Sequence, residues 1–122
     1  MAKKSQNNNI RMVVNGIKFD SKKEATHYIL YKGMEKEGHI TNLVCHPKFI
    51  LQEKFRSNGV HHRAITYSAD FSFHDVETDT DMLIDIKPWD KKTEKFLLKE
   101  VFRIKRKLLA KAFPDLPNIT LV

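Results

Sequence analysis

Residues 64–87 hold two runs of alternating side chains, AITYSADFSF and MLIDIK, on either side of the turn segment HDVETDTD. Side chains alternate across a strand with period two, so each run has two distinct faces. In Ala64–Phe73 the odd positions are Tyr67, Ala69, Phe71 and Phe73, and the even ones are Thr66, Ser68, Asp70 and Ser72. In Met82–Lys87 the even positions are apolar, while Leu83, Asp85 and Lys87 share the other face. Two such runs predict an antiparallel hairpin at the centre of a sheet. A symmetric hairpin centred between Glu77 and Thr78 sets Ser72 opposite Leu83, Asp70 opposite Asp85 and Ser68 opposite Lys87. Two carboxylates so placed lie about 5 Å apart at Cβ and repel unless a cation sits between them.

Six acids and no Lys or Arg occur from Asp70 to Asp85. A hard divalent ion such as Mg2+ or Mn2+ suits a carboxylate pair, because it takes oxygen ligands and shares its sphere with water and phosphate oxygens. Lys87, two residues past Asp85, points the same way and can orient a water or neutralise charge on a phosphate. At the other extreme, residues 91–111 carry nine lysines and arginines against two glutamates, a local +7 equal to the net charge of the whole chain. A concentrated basic face favours a polyanion, nucleic acid above all.

The remaining chain frames this hairpin. Asn15-Gly16 predicts a tight turn between Arg11–Val14 and Ile17–Phe19. A helix starts at Asp20 or Ser21, where Ser21-Lys22-Lys23-Glu24 fits a capping box, and runs to about Glu37 with Gly38 closing it. Its inward stripe reads as Ala25, Tyr28, Ile29, Lys32 and Met34. Ile40–Cys45 and Lys48–Leu51 read as strands broken by His46-Pro47, and Phe55–His62 as a loop or hairpin tip. Asp90 or Thr93 caps a second helix to about Ala112, with Leu97, Leu98, Val101, Ile104, Leu108 and Ala112 inward. A last strand spans Asn118–Val122. The fold class is therefore α/β: a mixed, mainly antiparallel sheet flanked by two helices. Residues 1–9 form a polar, disordered arm and residues 10–122 one domain, which is long enough to fold without staples. The single cysteine, Cys45, excludes an intrachain disulfide and a multi-cysteine zinc site, and suits the cytoplasm. No apolar run is long enough to span a membrane.

Asp70 followed by a hairpin and Asp85-Ile86-Lys87 resembles the PD-(D/E)xK nuclease signature, in the form with Asp at the middle place. The phrases GIKFDSKKEA, ADFSF and IDIK are similar to a group of small phage-borne, Holliday-junction-resolvase-like nucleases. The resemblance implies a restriction-endonuclease-like core of order αβββαβ. It also implies Asp70 and Asp85 as metal carboxylates, Lys87 as the catalytic lysine, and Glu24 as an additional acid on the first helix. Glu24 fits the capping box equally well, and both roles stay open. Ala69 stands where family members often have proline. The activity implied is Mg2+-dependent hydrolysis of DNA, branched DNA by preference, by a homodimer able to cut two strands symmetrically. Two rivals stand beside it: a non-catalytic DNA-binding module of the same fold, and a nuclease of nicking, replication or packaging specificity. Lys95, Lys99, Arg103 and Arg106, spaced 4, 4 and 3 apart, fall on one face of the second helix and are the candidate phosphate contacts.

Overall fold

A computed structural model describes residues 11–122; the N-terminal arm lies outside them. Two helices and twelve short strands make a mixed α/β fold whose ladders are mainly antiparallel. The chain divides into two compact units: residues up to Leu43 with Phe73–Thr80, and Val44–Ser72 with Asp81–Val122.

In the first unit, strands β1 (Met12–Val14) and β2 (Ile17–Phe19) pair as the expected hairpin. Asn15 and Gly16 both take positive φ, 52° and 78°, the turn geometry whose twist matches paired strands. Helix α1 (Lys22–Lys36) begins at Ser21, whose Oγ accepts the Glu24 N–H at 3.1 Å. It ends in a complete Schellman closure, with Gly38 N–H donating to the Glu35 carbonyl and His39 N–H to the Met34 carbonyl. The buried stripe is Glu24, Ala25, Tyr28 and Tyr31: Ala25 and Tyr28 are inward as expected, whereas Glu24 and Tyr31 join them and Ile29 is exposed. Aromatic contacts decide this: Tyr28 packs on Phe19 and Tyr31 on Phe73, each at 5.0 Å between ring centroids.

A four-stranded sheet runs in the order β12 (Ile119–Leu121), β9 (Thr80–Asp85), β8 (Phe71–Asp75), β3 (Ile40–Cys45). In the second unit β12 lies parallel to β9, pairing Leu121 with Asp85. Strand β4 (Lys48–Gln52) pairs with β7 (Ile65–Ser68), with a bulge that adds Leu51 to β4. The hairpin of β5 (Phe55–Ser57) and β6 (Val60–His62) is exposed along its whole length. The core of this unit is Tyr67, Ala69, Leu83, Phe102 and Leu109, flanked by Phe49, Leu98, Phe113 and Ile119.

The run Ala64–Phe73 is not one strand. It breaks at Ala69-Asp70, so β7 pairs with β4 while β8 joins the four-stranded sheet. The second helix is also shorter than expected. Residues 89–96 form a small hairpin of β10 (Trp89–Asp90) and β11 (Lys95–Phe96), and α2 covers Glu100–Ala112. The Asp90 carboxylate accepts from Lys92 N–H and Thr93 Oγ1, so the expected capping groups close a turn instead. Trp89 packing edge-on against Phe96 secures that hairpin. Helix α2 buries Phe102 and Leu109 and leaves Val101, Ile104 and Leu108 exposed, which corrects the expected face; of the residues before it, Leu98 packs on the core as expected and Leu97 is exposed.

Candidate functional site

Strand β9 and its continuation to Lys87 carry the centre of the site. The parallel ladder goes on past the end of β12: Val122 N–H donates to the Asp85 carbonyl and Lys87 N–H to the Val122 carbonyl, both at 3.0 Å. This fixes the backbone on both sides of Ile86. Asp85 and Lys87 leave the strand on one face, and the Lys87 ammonium lies 3.5 Å from Asp85 Oδ2. Asp85 is 3% exposed, a burial that a carboxylate tolerates only when its oxygens are paired. Tyr67 supplies a second partner, its hydroxyl donating a short hydrogen bond to the same Oδ2. No buried side-chain oxygen or nitrogen among the described residues lacks a partner.

Asp70 sits at the break between β7 and β8. Its N–H donates to the Ile84 carbonyl at 3.0 Å, and its Oδ2 accepts the Ile86 N–H at 2.6 Å. The symmetric cross-strand pair expected from period-two counting is thus replaced by a closer engagement. A side-chain oxygen of Asp70 takes the amide of the residue that separates Asp85 from Lys87. Both carboxylates bear on Tyr67. Burial, then the hydrogen bond to Asp85, then the charges of Asp85 and Asp70 push its phenol well above the usual range, against a weaker opposing effect of Arg106. Tyr67 therefore stays protonated, and a donor, at any ordinary pH.

Helix α2 supplies the wall of the site. The Lys87 ammonium lies 4.1 Å from the centroid of Phe102, whose ring packs against Tyr67 at 6.2 Å, and the Arg106 guanidinium lies 5.5 Å from the same ring. Lys87, 22% exposed, is held between an acid and an aromatic face yet remains open to solvent. Glu24 lies in the first turn of α1 and is buried, at 5% exposure.

The four basic candidates do not share one helical face. Lys95 is on β11 and Lys99 is the residue before the first turn of α2; only Arg103 and Arg106 are helical. Lys95, Lys99 and Arg103 are exposed, whereas Arg106 is half-buried over Phe102. The cause is the Asp90 turn, which delays the helix to Glu100.

Tyr67 and Phe102 are parts of this centre that the sequence pattern did not single out. Parity alone placed Tyr67 on an apolar face. The available signal was its hydroxyl, which needs a partner wherever the ring is buried. Phe102 lies off the inward stripe that helix periodicity predicts.

The donor set is two carboxylates beside an ammonium and a phenol. Oxygen donors of this kind suit a hard divalent ion. Fold and site together define an α/β protein with an acid–lysine centre on a central strand. The chain belongs to the family described as protein of unknown function DUF1064, whose model matches residues 4–121. No curated protein and no solved structure matches it. Among the described residues no helix is long and apolar enough to cross a membrane.

Proposed function

We propose that the chain is a metal-dependent DNA endonuclease with a restriction-endonuclease-like core, acting on branched DNA such as a four-way junction. One observation carries the reading: Asp70 is hydrogen-bonded to the amide of Ile86, while Asp85 and Lys87 on either side of Ile86 share one face 3.5 Å apart. That places two carboxylates and an ammonium around one short length of backbone. A sheet that needed only stability would place apolar side chains there at lower cost.

Asp70 and Asp85 would hold Mg2+ or Mn2+. When bound, such an ion supplies charge neutralisation at the phosphate and a water of lowered pKa. The Lys87 amine positions the attacking water and offsets the charge that grows on the phosphate oxygens. Tyr67 keeps Asp85 in one orientation, and Phe102 keeps Lys87 from swinging into solvent. The exposed Lys95, Lys99 and Arg103 hold the DNA backbone. Symmetric cutting of a junction requires two such centres, so the active species is a homodimer.

The test is cleavage of labelled four-way junction and linear duplex DNA with Mg2+, comparing wild type with Asp70→Asn, Asp85→Asn and Glu24→Gln. The two Asp variants should lose at least about a hundredfold in rate, the scale of lost metal or general-base function. Each is near-isosteric, and thermal melting confirms that it folds. Undiminished cleavage by Asp85→Asn would overturn the assignment. Glu24→Gln compared with Ser21→Ala separates the acid's two roles, because only the second removes the cap while sparing the carboxylate.

A further inference from the structure

Strand β3 ends at Cys45 and β4 begins at Lys48, so the chain turns through His46 and Pro47. His46 takes φ +55°, in the left-handed region that few residues with a side chain adopt. Two backbone hydrogen bonds fasten this turn to the β7–β8 break: His46 N–H to the Asp70 carbonyl at 3.0 Å, and Ala69 N–H to the Pro47 carbonyl at 3.1 Å. A ring nitrogen of His46 thereby comes within 4.8 Å of a carboxylate oxygen of Asp70. Adjacent ligands of one first-row ion stand about 3 Å apart, given bonds near 2.1 Å, a spacing that falls inside that bound.

We propose that His46 is a nitrogen ligand to the ion that Asp70 holds, and that it makes Mn2+ the preferred ion over Mg2+. The inference rests on the metal-dependent reading above. Its chemistry is the mismatch between imidazole and a hard ion. Mg2+ keeps to oxygen and gives up its waters reluctantly, whereas imidazole binds first-row transition ions readily. The left-handed turn gives the residue its aim. A proline follows it, and the Asp70 carbonyl accepts its amide, so the imidazole is carried on backbone anchored to the same aspartate.

The experiment uses the full chain with one equivalent of Mn2+ and has two readouts besides activity. Pulsed electron paramagnetic resonance detects a directly bound imidazole through its nitrogen nucleus, and calorimetry gives the affinities for Mn2+ and Mg2+. The variant is His46→Gly, which removes the ring and suits a positive φ. Wild type should show the nitrogen coupling and His46→Gly should not. The Mn2+ affinity should fall by about tenfold or more, as even partners beyond the ligands themselves cost that much, while Mg2+ affinity changes less than about twofold. Mn2+ that binds at Asp70 without nitrogen coupling, or with coupling that survives in His46→Gly, overturns the role of His46 and leaves the nuclease reading intact. Absence of Mn2+ binding in wild type overturns the role of His46, and absence of both Mn2+ and Mg2+ binding, with no difference in Asp70→Asn, overturns both readings.

Discussion

The phenol of Tyr67 shows what a single residue contributes here. A buried carboxylate deprived of its donor costs about 1–3 kcal/mol, so Tyr67→Phe should destabilise the chain by that amount in urea denaturation at neutral pH. The pH dependence has a definite sign. The folded-state pKa of Tyr67 lies above its unfolded value of 10.0, so the unfolded chain releases the proton first. The stabilisation is complete below about pH 10 and is lost as pH rises through the folded value. Tyr31, raised by burial, acts in the same direction. Tyr67→Phe should therefore show a shallower loss of stability than wild type between neutral pH and about pH 10.5; an equal slope would mean that Tyr67 ionises as freely folded as unfolded. Asp85 and Lys87 were legible in the sequence because an i, i+2 pair in a strand shares a face whatever the register. Their link to Tyr67 was not. It depends on the break at Ala69-Asp70, and no Gly or Pro marks that position.

At the scale of elements, helix α1 was legible at both ends because its signals are local: Ser21 before the first turn and Gly38 after the last. Two of its glycines give opposite predictions. Gly38 has φ +84°, so Gly38→Ala forces a side chain into a left-handed conformation and should cost about 1 kcal/mol. Gly33 lies in the helix, with nothing within 4 Å of where a Cβ would stand, so Gly33→Ala should stabilise by about 0.5–1 kcal/mol. Thermal unfolding of the two variants checks both signs at once. The start of α2 was illegible for a related reason. Asp90 and Thr93 are good caps and equally good turn residues, and contact between Trp89 and Phe96 favours the turn. Nothing within the 90–100 segment alone could rank those outcomes. The inward face of α2 is not legible by periodicity, because Val101, Ile104 and Leu108 outnumber Phe102 and Leu109 in such a count. Phe102 nevertheless packs on Tyr67 and beneath Lys87.

For the whole molecule the governing feature is charge. The chain carries +7, and residues 91–111 alone account for an equal excess. If that segment holds a DNA backbone, binding must release counterions and weaken with salt, by about 0.9 in the log–log slope for each phosphate neutralised. Lys95, Lys99 and Arg103 are exposed on three successive elements, a hairpin strand, a cap and a helix turn, so together they follow a path and not a helical stripe. Replacing all three with alanine should reduce the slope by roughly 2.7, read by fluorescence anisotropy on a four-way junction in EDTA, where no cleavage intervenes. Arg106→Ala should act differently, lowering stability more than the slope, because its guanidinium lies over Phe102. If the active species is the proposed homodimer, the same mixture examined by sedimentation should contain two protein chains per junction. An unchanged slope in the triple variant would move the DNA path away from residues 95–103, and would leave the acid–lysine centre to be judged by its own bonds: Asp70 to the Ile86 amide, and Asp85 to Lys87 and Tyr67.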